Sequence, residues 1–159
     1  MNIPFNIPYI PKSINDDNFK KIKNIGVDGK YTKIVEKLLK KKYNSKNVIL
    51  THSCTAALEI CALLLELKKD DEILLPSFSF VSVANAFALR NAKLKFLDVS
   101  KETLNLKYED IKKNINKKTK AIVVVHYAGY SEDIDKIAKL AKKKRITLIE
   151  DCAHSIFTK

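Results

Sequence analysis

A chain of 159 residues, 46% hydrophobic, can bury roughly two thirds of its unfolded surface, which suffices for one domain with a core and excludes two ordinary ones. The formal net charge of +12 invites a nucleic-acid reading, yet only Arg90 and Arg145 among the 30 basic residues are arginine. The densest runs, Lys40-Lys41-Lys42 and Lys142-Lys143-Lys144-Arg145, fall where helices should end, so solvated helix termini account for the charge better than a phosphate-binding face does.

Cys54, Cys61 and Cys152 are odd in number and lack CxxC spacing, which argues against a disulfide framework or a zinc ribbon. The opening "MNIPFNIPYIPKSINDD" is broken by prolines and acids and does not read as a secretory signal. No apolar run approaches the ~20 residues needed to span a bilayer. A reduced, cytoplasmic protein is expected.

In chain order, residues 1–31 read as an irregular arm, with Pro4, Pro8 and Pro11 barring regular structure and Gly26-Val27-Asp28-Gly29 forming a turn-rich link. A helix is expected from Thr32 to Tyr43, with Ile34, Val35, Leu38 and Leu39 on its buried side. From there apolar runs alternate with longer amphipathic segments. "NVILT" reads as a strand, "AALEICALLLEL" as a helix, "EILLP" as a strand and "VSVANAFALRN" as a helix. "KLKFLDV" is a strand, "YEDIKKNI" a short helix, "AIVVVHY" a strand, "DIDKIAKLAKKK" a helix and "ITLIED" a final strand. Uniformly apolar strands alternating with helices predict an α/β domain over 32–159, a largely parallel sheet flanked by helices. In "AALEICALLLELKK" apolar residues point in nearly every direction, as in a helix buried all round. So small a domain should struggle to cover it, and more protein, from the same polypeptide or a second subunit, is implied.

In an open α/β sheet, ligands gather beyond the carboxyl ends of the strands. After "NVIL" comes "THSCTAAL", where free N–H groups at a helix start and the hydroxyls of Ser53 and Thr55 make either a phosphate cradle or an ordinary N-cap. Cys54 there could instead be an activated thiol, although no obvious histidine base is fixed beside it in sequence. After "EILLP", Phe78 and Phe80 sit two apart at a strand-to-helix junction, where either could pack in the core or face a flat ligand. After "AIVVV" come His126 and Tyr127, with Gly129 letting the chain turn. Asp151 ends the last strand, and a buried carboxylate there needs a cation or several donors. A metal reading would join His126, Cys152 and His154, but their spacing matches no zinc signature.

"LTHSCTAALE", "DEILLPSFSFVSVANAFALRNAKLKFLDV", "AIVVVHYAG" and "LIEDCAH", in this order and at these intervals, resemble the sugar aminotransferases of the DegT type. These are fold-type-I enzymes using pyridoxal 5'-phosphate. The "SCTAALE" form most resembles the transaminases that make dTDP-4-amino-4,6-dideoxygalactose. The resemblance implies that Cys54, Thr55 and Ala56 hold the cofactor phosphate, Phe80 stacks on the pyridine ring, Asp151 pairs with the ring nitrogen and His154 lies near the phenolic oxygen. Cys152, where alanine is common, would be packing.

The resemblance also implies a lysine that forms the Schiff base and shuttles the proton. In relatives it lies well beyond the "EDxAH" motif, and no lysine of this sequence stands in that context. The chain is therefore expected to be the N-terminal part of such an enzyme, with the rest of the large domain and the small domain absent, and inactive alone. The intact enzyme would be a homodimer moving an amino group from glutamate to a nucleotide-linked 4-keto-6-deoxy sugar. Two alternatives stand beside it. One is a non-catalytic α/β nucleotide-sugar-binding module; the other is the front half of a dehydratase with histidine in place of the lysine.

Overall fold

A computed structural model of the protein describes residues 29–130 and 133–156, and the chain divides into two compact units, residues 1–50 and 51–159. The expected arm lies outside the described residues as far as position 28, as does the terminal Lys159. Its last two positions, Lys30 and Tyr31, are already helical.

In the first unit, helix α1 spans Lys30–Tyr43 and carries Lys40, Lys41 and Lys42 in its last turn. Asn44 ends it in the left-handed region at φ 48°, its N–H donating to the Lys40 carbonyl. The lysine run thus lies where the helix dipole favours cations. The expected buried side is not buried. No residue of α1 is buried and Leu38 is 61% exposed, because the described part of this unit offers no second helix or strand as a packing partner. Asn47–Leu50 is likewise not a strand, and Ile49 is 67% exposed. A strand needs a neighbour to satisfy its backbone groups, and none pairs with this segment among the described residues.

The second unit follows the expected alternation. Helix α2 spans Cys54–Leu64, strand β1 Glu72–Pro76, helix α3 Val81–Ala88, strand β2 Lys93–Leu97 and helix α4 Tyr108–Asn114. Strand β3 spans Thr119–Val125, a 3-10 turn Tyr127–Gly129, helix α5 Ile134–Lys144 and strand β4 Thr147–Asp151. The four strands form one parallel sheet in the order β2-β1-β3-β4.

Alternation along the inner strands splits the core in two. Ile73, Leu75, Ala121 and Val123 meet Leu58 and Ala62 of α2 and Val83 and Phe87 of α3 on one face. Leu74, Ile122 and Val124 meet Ile111 of α4 and Ile137 and Leu140 of α5 on the other. Strands buried on both faces explain the unbroken apolar runs "ILLP" and "AIVVV". The edge strands β2 and β4 are less buried, which is why "KLKFL" carries lysines.

From β1 the chain passes to β2 on one side, then returns past β1 to β3 on the other. Loops therefore diverge at the carboxyl ends of β1 and β3 and leave a crevice there. The β1, β3 and β4 loops, which carry most of the sequence-predicted site residues, open at that end.

Candidate active site

The α2 start is fixed by its own hydroxyls. Ser53 Oγ accepts from the Ala56 N–H at 3.1 Å as a side-chain N-cap, and Thr51 Oγ1 donates to the Ser53 carbonyl at 2.8 Å. Capping thus uses the Ala56 amide. The N–H groups of Cys54 and Thr55 have no acceptor among the described residues and stay available to an anion at the positive end of the helix dipole.

Asp151 ends β4 opposite Val125 of β3, and its carbonyl accepts the His126 N–H at 3.1 Å. Its side chain lies in the interior, 6% exposed. Oδ1 accepts from the Ala153 N–H at 3.0 Å and from the Cys54 thiol at 3.5 Å. No cation pairs with this carboxylate among the described residues. Partial burial, and then the negative charge and hydrogen bond of Asp151, push the Cys54 thiol up to about 11. At neutral pH it is therefore a protonated donor, which counts against an activated nucleophile. Burial raises the Cys152 thiol as well, in keeping with a packing role.

Phe80 occupies the position before α3 and leaves its residue 72% exposed. With His126, Tyr127, Asp151, Ala153 and His154 it lines a cavity of about 50 Å³. Ligand pockets measure roughly 300–1,000 Å³, so the described residues provide one wall of a site and not an enclosure. No lysine lines it. Phe78 serves differently from Phe80: its ring packs on Tyr127 at 4.8 Å between centroids, and Tyr127 in turn meets His154 edge-on at 5.5 Å.

His154 is held from its other side. Its Nδ1 accepts the Ala128 N–H at 3.3 Å, so the neutral ring carries its proton on Nε2 and presents a donor there. The turn that delivers this amide places Ala128 at φ 52° and Gly129 at φ 83°; the latter position suits glycine because it lacks a Cβ.

His126 is 4% exposed, and its Nε2 meets Glu150 Oε2 at 3.0 Å while Nδ1 has no partner among the described residues. The metal reading of the sequence joins His126 with Cys152 and His154. The structure instead gathers His126, Glu150 and Cys152, with ligand atoms within 4.8 Å of one another, and leaves His154 bonded elsewhere. The local sequence hid three contributors: Glu150 as the His126 partner, the Ala153 amide and the Cys54 thiol on Asp151. Strand register brings the first pair together. The third contact joins residues 97 positions apart, and no spacing rule signals it.

A parallel four-stranded sheet flanked by helices, with its loops opening at the strand carboxyl ends, is the α/β fold of the fold-type-I pyridoxal phosphate transferases. Residues 17–159 match the DegT/DnrJ/EryC1/StrS aminotransferase family, and the chain belongs to that family. An uncharacterised protein of Methanocaldococcus jannaschii is 37% identical over 121 residues, covering 76% of this chain and 31% of that protein. The aminotransferase TlmJ from Streptoalloteichus hindustanus superposes with a TM-score of 0.76 at 36% identity, covering 80% of this chain and 35% of TlmJ. The E. coli GDP-4-keto-6-deoxy-D-mannose-3-dehydratase with bound hydrated pyridoxal phosphate gives a TM-score of 0.78 at 28% identity, covering 92% of this chain and 40% of that enzyme. The chain thus spans about a third of the length of the relatives it matches. No helix among the described residues is long and apolar enough to cross a membrane.

Proposed function

We propose that this chain supplies the cofactor-facing wall of an enzyme that uses pyridoxal 5'-phosphate to move an amino group from glutamate to the 4-keto carbon of a nucleotide-linked 6-deoxy sugar. One observation carries the reading. Asp151 is a buried carboxylate with no cationic partner among the described residues, beside an exposed aromatic ring and an imidazole donor. A buried charge of that kind calls for a cation, and a protonated ring nitrogen is one.

The residues present fit the group. The free amides of Cys54 and Thr55, with the Thr55 hydroxyl, would hold the phosphate. Ala56 contributes through the helix start it helps to form rather than through its own capped amide. Phe80 would lie against the ring, Asp151 would keep the ring nitrogen protonated, and His154 would donate from Nε2 to the phenolic oxygen. When bound, the cofactor supplies an electron sink and a carrier for the amino group.

Proton transfer at the substrate carbon in this reading falls to a lysine, and no lysine among the described residues lines the cavity, so the chain alone should not turn over. In the intact enzyme we place this wall in a cytoplasmic homodimer. Residues 32–159 would form the first part of the cofactor-binding domain.

The likeness to the E. coli dehydratase supports a second reading, in which histidine replaces the lysine. Sequencing the DNA beyond the Lys159 codon in all three frames separates the two. A serine followed by a lysine is expected, and a histidine at the lysine position would favour the dehydratase. Incubating the purified 159-residue chain with pyridoxal phosphate, glutamate and a nucleotide-linked keto sugar should release no 2-oxoglutarate. Turnover would contradict the assignment of the base to residues outside this chain.

A further inference from the structure

We propose that Cys54 is a positioning residue for Asp151: its thiol and the Ala153 N–H together tie down Oδ1, so that Oδ2 is the oxygen offered to a cation. The inference rests on the cofactor reading of Asp151. The geometry singles out one carboxylate oxygen. Oδ1 takes both recorded donors, at 3.5 Å from Cys54 Sγ and 3.0 Å from the Ala153 amide, while Oδ2 has no protein donor among the described residues. A carboxylate anchored through one oxygen keeps a fixed orientation and leaves the other free.

Cys54 also occupies the first position of α2, where its own N–H is free to face an anion. One residue thereby touches both ends of the proposed site, through its amide at the phosphate and through its side chain at the ring-nitrogen carboxylate. It fixes the separation of α2 from the end of β4 across 97 residues of sequence. A thiol suits this place. It is a weaker donor than a hydroxyl, so it orients the carboxylate while leaving most of its charge for the ligand. Its raised pKa keeps the proton on sulfur through the neutral range, so the contact stays a hydrogen bond and does not become a repulsion between thiolate and carboxylate.

The test has two arms on the 159-residue chain. In the first, peptide-resolved iodoacetamide labelling follows Cys54 against pH. Its reactivity should rise late in the wild type, with a midpoint near 11, and earlier in Asp151→Asn. An unmoved midpoint would overturn the contact. In the second arm, pyridoxamine 5'-phosphate, which needs no lysine, is bound with 15N in its ring.

Cys54→Ala should weaken affinity by about three- to tenfold and shift the ring-nitrogen signal toward the unprotonated form, the loss of one weak hydrogen bond. Cys54→Ser, which restores a donor, should return both readouts toward wild type. Were Cys54→Ala to match wild type while Asp151→Asn lost the protonated signal, the positioning role would fail and the cofactor reading would survive. Failure of the wild-type chain to bind would remove the cofactor reading and the proposal with it.

Discussion

The two faces of the sheet end differently. On the α4/α5 face, Ile111, Ile137 and Leu140 pack inward while Lys136, Lys139 and Lys142–Lys144 point to water, as on a finished surface. On the α2/α3 face the inner layer is equally well packed, around Leu58, Ala62 and Phe87. Its outer layer is not polar: Leu63, Val81, Leu89 and Phe96 are exposed, and Leu64 is 75% exposed. Covering a side chain of that size contributes roughly 1.5–3 kcal/mol, so several left bare amount to an interior surface without its cover. The difference teaches that, among the described residues, one face of this unit is finished with charged side chains while the other leaves apolar side chains bare. The same contrast explains why the candidate site is a wall and not a pocket.

Substitutions should break or sharpen that contrast in graded fashion. Truncating the fully buried Phe87 to alanine should cost about 3–5 kcal/mol in urea unfolding, and Ile137→Ala about 2–5 kcal/mol. Leu64→Ala, similar in chemistry but on the open face, should change stability by no more than about 0.5 kcal/mol. A Leu64→Ala cost comparable to that of Ile137→Ala would mean that the α2 surface is already covered and the contrast false.

Next in size is the buried imidazole at the site's floor. Glu150→Leu leaves His126 without its Nε2 partner and should cost about 1–3 kcal/mol by the same measurement, the penalty of stranding a buried polar group. Smaller still is self-association. Leu63→Lys with Leu64→Lys should lower the weight-average mass in sedimentation velocity, whereas Lys139→Glu on the finished face should not.

Stability at high pH should show the gentlest effect. The folded-state pKa of Cys54 lies above its ordinary value, so the native chain holds more protons than the unfolded chain between the two. Its contribution is whole below pH 9 and is lost as pH rises toward 11. Cys54→Ala should flatten that part of the stability profile.

Much of this was legible in the sequence, and the reasons differ by element. Strands β1 and β3 announced themselves because burial on both faces leaves 73–76 and 121–125 wholly apolar, and α5 because its lysines and apolar residues separate at helical spacing. The lysine runs marked helix ends through the dipole. Asn47–Leu50 and the apolar side of α1 did not behave as their patterns suggest. A pattern states what a segment can pair with, and the described part of the first unit contains no partner for either.

Asp151 and Phe80 were singled out because they follow strand ends, where ligands gather, and His154 through the family resemblance; the structure places all three along one small cavity. The pairing of His126 with Glu150 depends on strand register, and that of Cys54 with Asp151 on how α2 meets the sheet. The Ala56 amide could be assigned to capping only once the Ser53 rotamer was known.

The central claim, that the ends of β1, β3 and β4 with the start of α2 form a pyridoxal phosphate wall, is tested most directly by equilibrium binding of pyridoxal 5'-phosphate to the chain and to Asp151→Asn. Saturable one-to-one binding by the wild type, weakened about tenfold or more in Asp151→Asn and unchanged in Lys139→Glu, is the predicted result. Equal binding by the wild type and Asp151→Asn, or no saturable binding by either, would contradict it.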